Sequence, residues 1–165
     1  MNERVNRFDD VFQRVIGHEG GYVNDPNDPG GETKFGISKR SYPKLTIAAL
    51  TMDDAKTIYR TDYWAKIMAD ELPVPIDEYV FDFAVNSGVQ TASTALQGAV
   101  GALRDGSIGP KTIEAVKRTP GRNILRLLFV ERAMVFALSP KDNLYGRGWF
   151  ARLFDKTELA LRELA

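Results

Sequence analysis

A chain of 165 residues, 44% hydrophobic and 27% charged, is long enough to bury a core as one domain without covalent staples. It has no cysteine, which excludes disulfides and thiolate metal sites. Its one histidine, His18, excludes His-rich zinc chemistry and any Ser-His-Asp triad not built on that residue. The net charge of zero hides an asymmetry. Residues 1–100 hold 10 Lys/Arg against 15 Asp/Glu and residues 101–165 hold 12 against 7, so the last third should offer a basic surface to an anionic polymer.

The first element is an amphipathic helix in which Val5, Phe8, Phe12, Val15 and Ile16 recur at helical spacing. Continued at about 100° per residue, Glu19 falls inside that apolar stripe and His18 on the opposite face, with Gly20 and Gly21 predicted to end the helix. A carboxylic acid there would sit in apolar surroundings that raise its pKa, the condition for a general acid. The next stretch, Asn24-Asp25-Pro26-Asn27-Asp28-Pro29-Gly30-Gly31, is turn chemistry that should fold back over the helix end. Thr33–Ile37 reads as a short strand or hairpin arm.

Beyond it, Ser38 is expected to cap a short helix that Pro43 ends. Thr51 and Asp54 form a capping box that opens a helix through Ile58, Tyr59, Asp62 and Trp64. Pro73 and Pro75 break the chain, and the helix that follows, with Tyr79, Val80, Phe83 and Ala84 toward the core, should stop at Gly88. Thr91 is expected to cap a helix running through Leu96 to Leu103. Pro110 suits the first turn of a helix ending near Arg118. Thr119 is expected to cap a long apolar helix to about Leu138, and the loop KDNLYGRG to lead into a last helix from Trp149 to Leu164. The fold class is mainly α, of the α+β lysozyme-like kind, with about seven helices and one small β-hairpin excursion near residues 22–37.

Two carboxylates facing each other across a cleft are the arrangement that cleaves glycosidic bonds. The string EGGYVNDPNDPGGETKFGIS resembles the signature of glycoside hydrolase family 108, N-acetylmuramidases found among phage endolysins. That resemblance implies Glu19 as catalytic acid. The spacing of Glu19, Asp28 and Thr33 is also similar to the Glu, Asp, Thr triad of phage-type lysozymes, with four residues between Asp28 and Thr33 where those enzymes usually have five. Asp28, with Asp25 as the alternative, would be the second carboxylate, and Thr33 would position the attacking water or serve as a β-branched strand residue.

Further on, NSGVQTASTALQGAVG, DGSIGPKT, the helix bearing Glu131-Arg132, and GRGWFARL resemble the peptidoglycan-associated region that follows the muramidase motif, so the likeness spans about residues 8 to 155. It implies one lysozyme-like domain over residues 1–165, in which a muramidase region (1–90) packs against a peptidoglycan-associated helical region (91–165). No linker composition separates them. Tyr22, Tyr63, Trp64 and Trp149 are candidate sugar-stacking residues, Tyr22 foremost because it adjoins the motif. Asn86, at a helix end, would bind an N-acetyl group or serve as a C-terminal helix residue.

The expected substrate is bacterial peptidoglycan, cut by a monomer that needs no cofactor and holds no metal. The aspartate-rich loop fails the EF-hand pattern, since counting from Asp25 puts Pro29 at position five and Gly36 at position twelve. Lys111, Lys117, Arg118, Arg122 and Arg126 read as a solvated face, with no nucleic acid as partner. No apolar run approaches membrane-spanning length, and MNERVNRFDD has no signal-peptide core. The expected route is therefore synthesis in the cytoplasm and action on the cell wall, in the periplasm, after release. A lytic transglycosylase, which also uses one glutamate, and a non-catalytic peptidoglycan-binding protein are the competing readings.

Overall fold

A computed structural model of the chain describes residues 3–17, 21–24, 31–138 and 142–164. Its contacts divide the chain into two compact units, Met1–Asp62 and Tyr63–Ala165.

The first unit begins with α1 (Glu3–Ile16), whose Phe8, Val11, Phe12 and Val15 are buried. The helix ends earlier than its apolar pattern suggests. Gly17 takes φ 68° and donates its N–H to the Gln13 carbonyl, a left-handed cap that glycine adopts at low cost. Gly17 thus ends the helix ahead of the glycines at 20 and 21 that the sequence pattern pointed to.

The β excursion is a hairpin of β1 (Thr33–Lys34) and β2 (Ile37–Ser38), with Thr33 opposite Ser38 and Lys34 opposite Ile37. Its two-residue turn, Phe35-Gly36, has φ of 53° and 75°, and two positive-φ residues in succession are what a type I′ hairpin turn needs. A Cβ on Gly36 would lie 2.6 Å from the Tyr59 hydroxyl, which itself donates to the Phe35 carbonyl at 3.0 Å. The segment 33–37 is therefore almost a whole hairpin and not a single arm.

Ser38 opens no helix. Its Oγ accepts from the Ser41 N–H and its carbonyl from the N–H groups of Ser41 and Tyr42, which gives a closed turn. The capping box does form. Thr51 accepts from the Asp54 N–H, Asp54 accepts from the Thr51 N–H, and α2 (Met52–Tyr59) follows. Tyr59 packs on Phe12 with ring centroids 5.7 Å apart, and Arg60 lies over the Phe8 ring. One π-helical turn, Arg60–Trp64, continues α2.

The second unit is helical: α3 (Ile76–Ser87), α4 (Val89–Ala99), α5 (Pro110–Arg118), α6 (Gly121–Ala137) and α7 (Asp142–Glu163). Residues 76 to 84 of α3 are all buried, so α3 is its central helix, touching α4, α6 and α7. Gly88, at φ 90°, ends α3 and starts α4, so Thr91 sits inside α4 and caps nothing. The helix stops at Ala99, leaving Leu103 exposed in the following loop.

Pro110 opens α5 at its first position, as expected. Thr119 serves the helix before it, because its hydroxyl donates to the Ala115 carbonyl, and Pro120 is the residue that begins α6. The stretch from Asp142 is helix, not loop. α7 runs through Gly146 and Gly148 to Glu163, its Trp149 and Phe150 rings lying 5.3 and 6.0 Å from Phe136. Among the described residues, no helix is long and apolar enough to cross a membrane.

Candidate active site

Of the residues singled out for chemistry, Glu19, Asp25 and Asp28 lie outside the described residues, as does His18. What the structure describes is the frame on either side of them. Upstream, α1 stops at Ile16. Downstream, Val23 and Thr33 form an isolated antiparallel bridge, with N–H to carbonyl distances of 2.9 and 2.8 Å in the two directions. The ends of the segment that carries Asp25 and Asp28 are therefore tied one hydrogen-bonded pair apart. A Lys39 N–H to Glu32 carbonyl bond of 2.7 Å continues that tie on the far side of β1.

Thr33 is half-buried, and its hydroxyl has one long contact, 3.5 Å to the Gly31 carbonyl, so it retains hydrogen-bonding capacity. Tyr22 is 45% exposed and immediately precedes the bridge, so the bridge brings Tyr22 and Thr33 to one place. Asn86 belongs to the second unit. It is exposed in the last turn of α3 and donates one amide hydrogen to the Asp82 carbonyl at 2.8 Å, and among the described residues its side-chain carbonyl and second N–H have no other partner.

The other aromatic candidates resolve differently. Trp64 is 1% exposed, packs edge-on against Phe81 and donates to Asp70 at 2.9 Å, so it is a core residue with its polar atom satisfied and cannot stack on a sugar. Trp149 is half-buried against Phe136, and Tyr63 is half-buried.

The strongest charge cluster of the second unit went unmarked in the sequence. Asp82 and Arg132 are both fully buried, with Oδ2 and Nη2 2.6 Å apart. Neither atom has a well-aligned hydrogen bond, so the contact is chiefly ionic, and the guanidinium is otherwise enclosed by the rings of Tyr79, Phe83 and Phe136 at 5.2 to 5.9 Å. Arg152 adds a contact of 2.5 Å to the other carboxylate oxygen, and Lys156 approaches within 4.0 Å.

Burial alone would raise the Asp82 pKa. The three cations outweigh it and hold the carboxyl below its ordinary value. An acid so held is ionised and closed off from solvent, so it cannot donate a proton to a substrate. The sequence signal was charge set inside two apolar runs, Asp82 in YVFDFAV and the Glu131-Arg132 pair in FVERAMVF.

Comparison with known proteins places this frame in a family. The model for "Glycosyl hydrolase 108" matches residues 12–88, a span that holds Glu19, Tyr22, Asp25, Asp28, Thr33 and Asn86. Among solved structures, that of Brucella abortus SagA is similar, with a TM-score of 0.86 and 34% identity, covering 96% of this chain and 95% of that one. No curated protein matches the chain. With both the family model and a neighbour of near-identical extent in agreement, the chain belongs to glycosyl hydrolase family 108 and is a glycoside hydrolase of the peptidoglycan-cleaving class.

Proposed function

We propose that the protein is an endolysin-type N-acetylmuramidase that hydrolyses the β-1,4 bond between N-acetylmuramic acid and N-acetylglucosamine. Glu19 protonates the leaving glycosidic oxygen. Asp28, or Asp25 in its place, holds and deprotonates the attacking water or stabilises the oxocarbenium-like transition state, and Thr33 orients that water. Tyr22 offers a ring to the sugar and Asn86 its free amide atoms to an N-acetyl group. The observation that carries the reading is the Val23–Thr33 bridge, which ties the ends of the carboxylate-bearing segment directly after the residues that bear Glu19. The enzyme works as a monomer, is made in the cytoplasm and reaches the wall after release.

The test is mass spectrometry of the soluble products from purified sacculi. Reducing N-acetylmuramic acid ends are expected. Anhydro ends would replace hydrolysis with transglycosylation, and binding without release would leave a non-catalytic module. Glu19→Gln should lower turnover about 10²- to 10⁴-fold with the melting temperature unchanged, the range that general-acid catalysis contributes. Near-native turnover in that variant would remove Glu19 from the mechanism.

A further inference from the structure

The second unit carries an apolar surface that its own core does not use. α6 and α7 flank a groove of about 580 Å³ whose walls include Phe129, Val130, Phe154 and Leu161, with Arg122 and Arg126 at its border. Along α6 every fourth residue from 122 to 138 is exposed, in the order Arg122, Arg126, Val130, Met134, Leu138. This is a single ridge, about 24 Å long at 1.5 Å per residue, with two cations at one end and apolar side chains over the rest. α7 adds Phe150 and Phe154 at the same spacing, and Phe154 is 63% exposed.

The charge on this surface is unbalanced. Among the described residues Arg122 and Arg126 have no ion-pair partner, whereas Glu158, the acid beside them in the groove, is engaged by Arg162 at 2.6 Å. Solvent gains nothing from such a surface. An amphiphile with an anionic head and hydrocarbon tails matches it in both charge and polarity.

We infer that this α6–α7 face docks the protein on an anionic phospholipid bilayer, with Arg122 and Arg126 holding a lipid phosphate and the Val130–Leu138 ridge and Phe154 set among the upper acyl chains. Planar guanidinium groups suit phosphate oxygens, and the interfacial zone accepts an apolar helical face with cations at its edge. A bilayer fits better than an amphipathic peptide helix. Met134, Leu138 and Phe150 stand exposed beyond the lining of the groove, outside the slot a single docked helix would fill, and a fluid lipid surface takes side chains of any outline. The inference does not depend on which bond the enzyme cuts. Docking would hold a wall hydrolase on the membrane side of its polymer.

Co-sedimentation of the full chain with vesicles of equimolar phosphatidylglycerol and phosphatidylcholine tests it, beside vesicles of phosphatidylcholine alone. Binding is expected only to the anionic vesicles and should fall steeply in high salt. Replacing both arginines (R122Q with R126Q) should weaken partitioning roughly 30-fold, at about a fivefold loss for each basic residue near the surface. Phe154→Ser should weaken it at least about tenfold, from the lost burial of one aromatic side chain.

All variants should keep the parental melting temperature, which separates failed docking from failed folding whether or not the enzyme is active on sacculi. Equal binding to both vesicle types, no binding, or wild-type binding by either variant would overturn the inference. A concentration-dependent dimer that Phe154→Ser abolishes, without lipid binding, would assign the face to a second copy instead.

Discussion

Two stretches of this chain are rich in carboxylates, and they handle them in opposite ways. Between Gly17 and Thr33 the acids stand in turn-forming sequence, on a segment whose ends are tied by the Val23–Thr33 bridge. On α3, Asp77, Glu78 and Asp82 are all buried. Asp77 accepts from the Glu78 N–H at the helix N-terminus, Glu78 lies 3.8 Å from Lys156, and Asp82 is held by Arg132, Arg152 and Lys156. Burial by itself makes no general acid. A carboxyl among apolar groups keeps its proton, whereas one buried among cations loses it more readily than in water, and Asp82 is of the second kind.

The largest expected effect would break the structural half of that contrast. Asp82→Ala leaves Arg132 buried without its counter-charge and should cost about 3–5 kcal/mol, read by denaturant unfolding. Replacing Asp82 and Arg132 together by Leu and Met should cost far less than the sum of the single changes, because it removes the charge and its debt of desolvation at once. The pH dependence follows in sign. The folded pKa of Asp82 lies below the unfolded one, so its contribution is complete above about pH 4 and fades as the pH drops through the depressed value. The gap in melting temperature between wild type and Asp82→Asn should accordingly narrow in acid; a gap that widens there would contradict the ion pair.

Smaller changes sharpen the other half. Gly36→Ala forces a side chain into φ 75° and against the Tyr59 hydroxyl, at about 1–2 kcal/mol for the backbone alone. Combined with Tyr59→Phe, which removes the obstructing oxygen, the two losses should be less than additive, as thermal melts of the four forms would show. Thr51→Ala removes one arm of the capping box and should cost about 0.5–2 kcal/mol, at the low end because the cap is exposed.

What the sequence revealed was decided locally. The Thr51–Asp54 box, Pro110 at the head of α5 and Gly88 at the end of α3 all act through neighbours within one helical turn, and all stand where the pattern put them. The errors came where distant contacts decide. Gly146 and Gly148 read as loop, yet the aromatic packing of Trp149 and Phe150 on Phe136 and the burial of Leu153 and Ala160 outweigh the weak helix propensity of two glycines.

Asp82 and Arg132 lie fifty positions apart in α3 and α6, and no local rule joins them. At the candidate site, the turn chemistry and the hairpin were legible, but the partnership of Val23 with Thr33 was not, because a single bridge leaves no alternating run. The first helix was read too long for a plain reason. Three glycines lie near its end, and the first one in sequence already satisfies the cap.

The Val23–Thr33 bridge has a consequence for design. A segment fastened at both ends by its own backbone is an interchangeable cassette. Lengthening it by one residue adds only about 0.1 kcal/mol of closure entropy, since that cost grows with the logarithm of length. The residue count between Asp28 and Thr33, one fewer here than is usual in the phage-type pattern, can thus drift without disturbing the hairpin behind the bridge. Grafting longer or shorter carboxylate loops onto this socket is then a practical way to retune the enzyme while the rest of the scaffold stays fixed.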